Sequence, residues 1–160
     1  MDAILRQVKF AVAVLLALVI APNALAAYFS PVSNLQTGMC IAPTSTASGA
    51  AISQQGCAVT NTQMWRAEYV TVGFQNYYFR LRNIQTNLCL DLASASTGNG
   101  VGMVQRACSG AHTQQWKENG YNFHSKLTNR FSGKCLSSAG SGLVQSNCTN
   151  DPSHLWSIML

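Results

Sequence analysis

Few side chains in this sequence are able to do chemistry. Beyond residue 26 there are four carboxylates, Glu68, Asp91, Glu118 and Asp151, and three histidines, His112, His124 and His154. Hydrolysis of a glycoside needs two carboxylates flanking one bond, and no two of these form a recognisable acid/base pair. None of the histidines has a nucleophile motif beside it. No glycine-rich loop follows a strand and opens a helix to hold a phosphate. The six cysteines contain no C-x-x-C pair and no Cys-His set at finger spacing, so no metal is expected. The eight basic residues beyond residue 26 form no stripe in sequence and belong to no nucleic-acid-binding module. These residues predict no enzyme, no cofactor and no nucleic-acid partner.

The elements that hold these residues begin after a targeting segment. Residues 1–26 read as a secretory signal peptide. Arg6 and Lys9 supply its positive start, Phe10 to Ala21 is an uninterrupted apolar run of 12 residues, and Ala24-Leu25-Ala26 offers a cleavage site. The run is short of the roughly 20 residues of a membrane-spanning helix. Cleavage leaves 27–160 as one domain with eight basic and four acidic residues, and no segment in it suits a membrane span. The expected location is extracellular or periplasmic, where disulfides persist. In the whole chain of 160 residues only 9% are charged while 48% are hydrophobic, which excludes a disordered chain and a coiled coil.

The domain repeats itself three times, over about 28–72, 73–119 and 120–160. Each of Cys57, Cys108 and Cys148 is followed eight residues later by a tryptophan, Trp65, Trp116 and Trp156. Two residues before each tryptophan stand Gln63, Gln114 and His154. Gln54, Gln105 and Gln145 lie three residues before the second cysteine of each unit. Upstream, Asn34 to Ile41, Asn83 to Leu90 and Asn129 to Leu136 align on a cysteine preceded by a turn. Gly38, Asn87 and Gly133 occupy one turn position, where a positive φ suits both residue types. The alternation in Tyr77-Tyr78-Phe79-Arg80-Leu81-Arg82 is that of a half-buried strand. About twelve short strands result, four per unit, with no helix longer than a turn. The repeat selects Cys40–Cys57, Cys89–Cys108 and Cys135–Cys148 from the possible disulfide pairings, each expected to contribute about 3 kcal/mol.

The threefold Cys…Cys-x7-Trp pattern with Gln-x-Trp resembles the ricin-B-type β-trefoil lectin family over essentially all of 27–160. A trypsin-inhibitor-like trefoil is less favoured, because that family lacks the repeated Gln-x-Trp. The resemblance implies an all-β trefoil of six barrel strands capped by three hairpins. Trp65, Trp116 and Trp156 are then core residues, and the glutamines before them, Gln63 and Gln114, pin loops.

The resemblance also implies up to one shallow sugar site per unit, built on an aspartate two residues after the first cysteine. A carboxylate suits that role because its two oxygens accept from adjacent hydroxyls. The middle unit alone has it, as Asp91; Ala42 and Ser137 stand at the matching positions. Gln114 is expected to steady Asp91 or touch the ligand. Thr113, in place of the family's frequent asparagine, and Gln105, one place after the position of a usual polar residue (here Val104), are the further sugar contacts that the resemblance implies. Arg106 stands where the family usually places an aromatic ring for stacking, so a neutral sugar should bind weakly, and an acidic glycan is an alternative ligand. Asp91 has a second reading as a turn residue bonded to its own backbone, and Arg106 as a solvated loop charge. The aromatics gathered between Tyr69 and Phe79 read as core strand, with a partner surface as the alternative. Two functions follow. One is a secreted glycan-binding lectin module using the middle unit. The other is a trefoil interaction subunit with decayed sugar sites, resembling the binding subunits of toxins such as cytolethal distending toxin.

Overall fold

The computed structural model describes residues 28–71, 77–120 and 123–158. Residues 1–26, which the sequence reads as a signal peptide, lie outside them. Among the described residues strands dominate, and the helical ones are three single 3-10 turns, Asn61–Gln63, His112–Gln114 and Pro152–His154. The first unit contains β1 (Ser30–Pro31), β2 (Ser33–Asn34), β3 (Cys40–Pro43), β4 (Ile52–Gln55) and β5 (Met64–Thr71). The second has β6 (Tyr77–Asn83), β7 (Cys89–Leu92), β8 (Met103–Arg106) and β9 (Trp116–Asn119). The third has β10 (Lys126–Asn129), β11 (Cys135–Ala139), β12 (Gly142–Ser146) and β13 (Trp156–Ser157). β1 and β2 are one strand interrupted at Val32, so each unit has the expected four.

The first and last strands of the three units close a barrel. β1 pairs with β5, β5 with β6, β6 with β9 and β9 with β10. The bridge Ser125↔Trp156 and the β13–β2 pair complete the ring. The middle strands form the hairpins β3–β4, β7–β8 and β11–β12. These meet around the pseudo-threefold axis through Ala51↔Val104, Gly102↔Val144 and Gly142↔Ser53. Each hairpin carries its disulfide as expected, Cys40–Cys57, Cys89–Cys108 and Cys135–Cys148, with Cα atoms 4.9, 5.0 and 5.0 Å apart.

Equivalent residues do equivalent work in all three units. Trp65, Trp116 and Trp156 are buried in one cluster with Ile41, Leu90 and Leu136 and with Phe79, Leu81 and Leu127. Each indole donates to the carbonyl of the residue after the first cysteine, Ile41 at 3.1 Å, Leu90 at 3.5 Å and Leu136 at 3.0 Å. Asn34, Asn83 and Asn129 fold their turns by accepting from backbone N–H groups two and three residues on. The positive φ falls where the sequence places it, at Gly38 (65°), Asn87 (61°) and Gly133 (70°).

Gln54, Gln105 and Gln145 tie each hairpin to the next. Gln105 donates to the Ser45 and Ala47 carbonyls of the first unit, at 2.8 and 2.9 Å. Gln145 does the same to Ser96 and Gly98 of the second, and Gln54 to Gly140 and Gly142 of the third. The three amides thus form a closed ring of clamps. This corrects the reading of Gln105 as a sugar contact: it is fully buried, and its amide is committed to the neighbouring unit. A second correction concerns the aromatics after Tyr69. Phe79 is core, but Tyr69 and Tyr77 are more than half exposed, because they occupy the far end of the β5–β6 hairpin.

Candidate functional site

Asp91 is the third residue of β7, where the hairpin brings it beneath the turn that precedes Trp116. Its Oδ2 accepts from Gln114 Nε2 at 3.0 Å. The same nitrogen donates to the Ala107 carbonyl at 2.9 Å, while Gln114 Oε1 accepts from Ser109 N at 2.8 Å. Gln63 makes the matching loop bonds in the first unit, to the Gly56 carbonyl and from Ala58 N. Pinning the loop is therefore the shared role of this glutamine, and holding Asp91 is an addition peculiar to the middle unit. In the third unit His154 replaces the amide and bridges Ser146 Oγ at 2.6 Å and Thr149 Oγ1 at 2.8 Å. Burial pushes the His154 imidazole below its ordinary pKa, with Lys126 acting the same way and Asp151 against it.

Arg106 crosses the carboxylate. Its guanidinium donates to the Leu92 carbonyl at 2.7 Å and the Ala93 carbonyl at 2.9 Å, and stands 3.5 Å from Asp91 Oδ2. Asp91 is left 4% exposed, and its Oδ1 is buried without a hydrogen-bond partner. Both bland readings from the sequence are thereby corrected. Asp91 bonds side chains across the hairpin, because it sits within a strand and not in a turn. Arg106 is tethered by three acceptors, although its outer part remains in solvent. Thr113 lies half-buried in the 3-10 turn, where its carbonyl accepts from Asn129 Nδ2. The structure thus gathers Asp91, Gln114 and Arg106, sets Thr113 on the adjoining turn, and removes Gln105. A surface depression of about 440 Å³ is lined by Glu118, Asn119, Gly120 and Lys126, and another of about 160 Å³ by Pro31, Cys57, Ala58, Val59 and Met64. Asp91 lines neither.

A second polar cluster escaped the sequence reading. The β5–β6 register places Arg66 opposite Arg82 and Glu68 opposite Arg80. Glu68 ion-pairs with Arg66, with Arg82 at 2.8 Å and with Arg80 at 3.5 Å. Burial alone would raise the Glu68 pKa; hydrogen bonds and charge from Arg66 and Arg82 outweigh it and hold the carboxyl below its usual value. The alternation in Tyr77 to Arg82 signals one outward row, but the partner row is set only by hairpin register.

The family profile of the ricin-type beta-trefoil lectin domain-like proteins matches residues 62–142. The chain belongs to that family. No curated protein matches it. Among solved structures, the lectin-like trefoil resembles the designed threefold-symmetric protein ThreeFoil, with 26% identity and a TM-score of 0.72 over 81% of this chain and 96% of that one. An exo-beta-1,3-galactanase from Clostridium thermocellum matches at 22% identity and a TM-score of 0.72, over 81% of this chain and 29% of that one. The Haemophilus ducreyi cytolethal distending toxin matches at 18% identity and a TM-score of 0.64, over 81% of both chains. The chain spans less than a third of the galactanase, a glycosidase, so that likeness concerns its trefoil-like part alone.

Proposed function

We propose that this protein is a secreted carbohydrate-binding module that recognises extracellular glycans through its middle repeat alone. The observation that carries the reading is the Asp91 carboxylate. It is held by Gln114, its Oδ1 has no partner, and the matching residues Ala42 and Ser137 offer no carboxylate. A buried acceptor without a donor is a stability cost of about 1–3 kcal/mol, and adjacent sugar hydroxyls are donors suited to relieve it.

Arg106 sets the condition for binding. A ligand reaches Asp91 only when the guanidinium leaves the Leu92 and Ala93 carbonyls, which lie near the exposed Ala93–Ala95 loop. Once swung out, the charge stands beside the diol site and favours a glycan that carries a carboxylate. Trefoils of this fold include the Polyporus squamosus lectin, solved with a sialylated trisaccharide. A glycan array with wild type, Asp91→Ala and Arg106→Ala tests the reading. Asp91→Ala should abolish binding of neutral glycans and of those carrying a single carboxylate, with folding intact, and Arg106→Ala should lose the singly acidic glycans while keeping or gaining neutral ones. Retained binding of the neutral and singly acidic glycans in Asp91→Ala would refute the assignment.

The second reading, an interaction subunit with decayed sugar sites like those of toxins, is favoured by one observation: the arginine that closes Asp91. It predicts an array silent for wild type and for Arg106→Ala alike.

A further inference from the structure

We infer that the face of β5 and β6 bearing Arg66, Arg80 and Arg82 is a second binding site, for the sulfate or carboxylate groups of an acidic polysaccharide. The site is separate from Asp91 and does not depend on the reading given for it. Three guanidiniums converge on Glu68, which neutralises one of them. The other carboxylates among the described residues are engaged elsewhere: Asp91 with Arg106, Glu118 with Ser125, and Asp151 with Ser153 N. Two positive charges on this face therefore lack a carboxylate. Arg80 also donates to the Ser109 carbonyl at 2.9 Å and Arg82 to Asn87 Oδ1 at 3.0 Å, but these acceptors are neutral. Each side chain is only 24–34% exposed, so the charges are compensated incompletely.

The fold does not ask for this arrangement. Like charges directly opposite across two strands destabilise a sheet, yet Arg66 faces Arg82. At the two symmetry-related positions the pairs are Lys117↔Thr128 and Ser157↔Ser33. The same barrel is thus built there with one cation or none. A planar oxyanion matches what the arginines offer, since guanidinium forks bind paired oxygens bidentately. The neighbouring rings point away from nucleic acid. Phe29 is covered by the Arg66 guanidinium at 5.7 Å and Tyr78 by that of Arg130 at 4.9 Å. Single-stranded nucleic acid relies on open aromatic platforms for its bases, whereas a glycan oxyanion needs only the guanidinium edges.

Calorimetric titration with dextran sulfate, hyaluronate, neutral dextran and a thymidine oligonucleotide tests the site. Wild type should bind dextran sulfate or hyaluronate, more weakly as salt rises, and ignore neutral dextran. Arg66→Gln/Arg80→Gln should weaken that binding by about tenfold or more. Lys117→Gln/Lys134→Gln, with the same loss of net charge, should leave it unchanged. Glu68→Gln removes the competing carboxylate and should tighten binding, a direction that loss of folding cannot mimic. Asp91→Ala should have no effect, which separates this site from the diol site. The inference is overturned if neither acidic polysaccharide binds, if both double variants weaken it equally, if Glu68→Gln fails to tighten it, or if the oligonucleotide binds more tightly.

Discussion

Replacing Ser132 by threonine should stabilise this protein, and the reason is its own internal symmetry. In the first unit Thr37 donates to Gln54 Oε1 at 2.8 Å, and in the second Thr86 donates to Gln105 Oε1 at 2.8 Å. Each hydroxyl also accepts a backbone N–H, from Met39 and Leu88 respectively. Ser132 holds the third position and accepts from Lys134 N at 3.3 Å, but Gln145 Oε1 is buried without a partner. A serine hydroxyl rotates freely, whereas a threonine methyl restricts χ1 and so restricts where the hydroxyl points. One added buried hydrogen bond contributes about 0.5–1.5 kcal/mol. For a domain of this size that corresponds to a Tm rise of about 2–7 °C. Denaturant unfolding of Ser132→Thr, Gln145→Leu and the double variant forms a thermodynamic cycle. The gain should appear in the wild-type background and vanish when Gln145 is leucine. An equal gain in both backgrounds, or none in either, would refute the pairing.

Two further outcomes are expected. The folded pKa of His154 lies below its ordinary 6.5, chiefly because the ring is buried. As pH falls through 6.5 the unfolded chain takes up a proton that the folded chain refuses, so stability declines from there down to the folded pKa and is flat above 6.5. His154→Gln restores the residue of the other two units and should remove that part of the slope in unfolding measured from pH 7.5 to 5. Trp116→Phe should cost about 1–3 kcal/mol in denaturant unfolding yet leave the pattern on a glycan array unchanged. The indole is fully buried and so cannot be a sugar platform.

What repeats three times was legible in the sequence. The tryptophans, the turn asparagines and the cysteine pairs recur at fixed offsets, and offsets within a unit are local information. Contacts between units were not legible. Gln105 looked like a ligand residue because its sequence neighbours are Val104 and Arg106, whereas its amide reaches a loop 58 and 60 residues away. The arginine cluster was hidden for the same reason. Arg66 and Arg82 lie in different units, and only the register of a long hairpin sets them face to face. Asp91 was found as an exception within the repeat, but its cover was not, because Arg106 folds back onto carbonyls that any sequence supplies.

Pseudo-symmetry therefore offers a way of separating fold from function here. A residue present in all three units, such as the clamping glutamine, is accounted for by joining the three hairpins to one another. A residue present once needs another cause, since two neighbouring units fold without it. His154 meets that condition but replaces a loop pin with another loop pin, so it remains structural. Asp91 and the Arg66–Arg82 pair meet it while leaving something uncompensated, a buried oxygen in one case and positive charge in the other. Each imbalance has the sign of a plausible ligand: hydroxyl donors for the carboxylate and oxyanions for the arginines. A substitution that restores the symmetric residue, Asp91→Ala or Arg82→Thr, should cost the domain little stability and remove the corresponding interaction. If either instead unfolded it, the asymmetry would be a requirement of the fold after all.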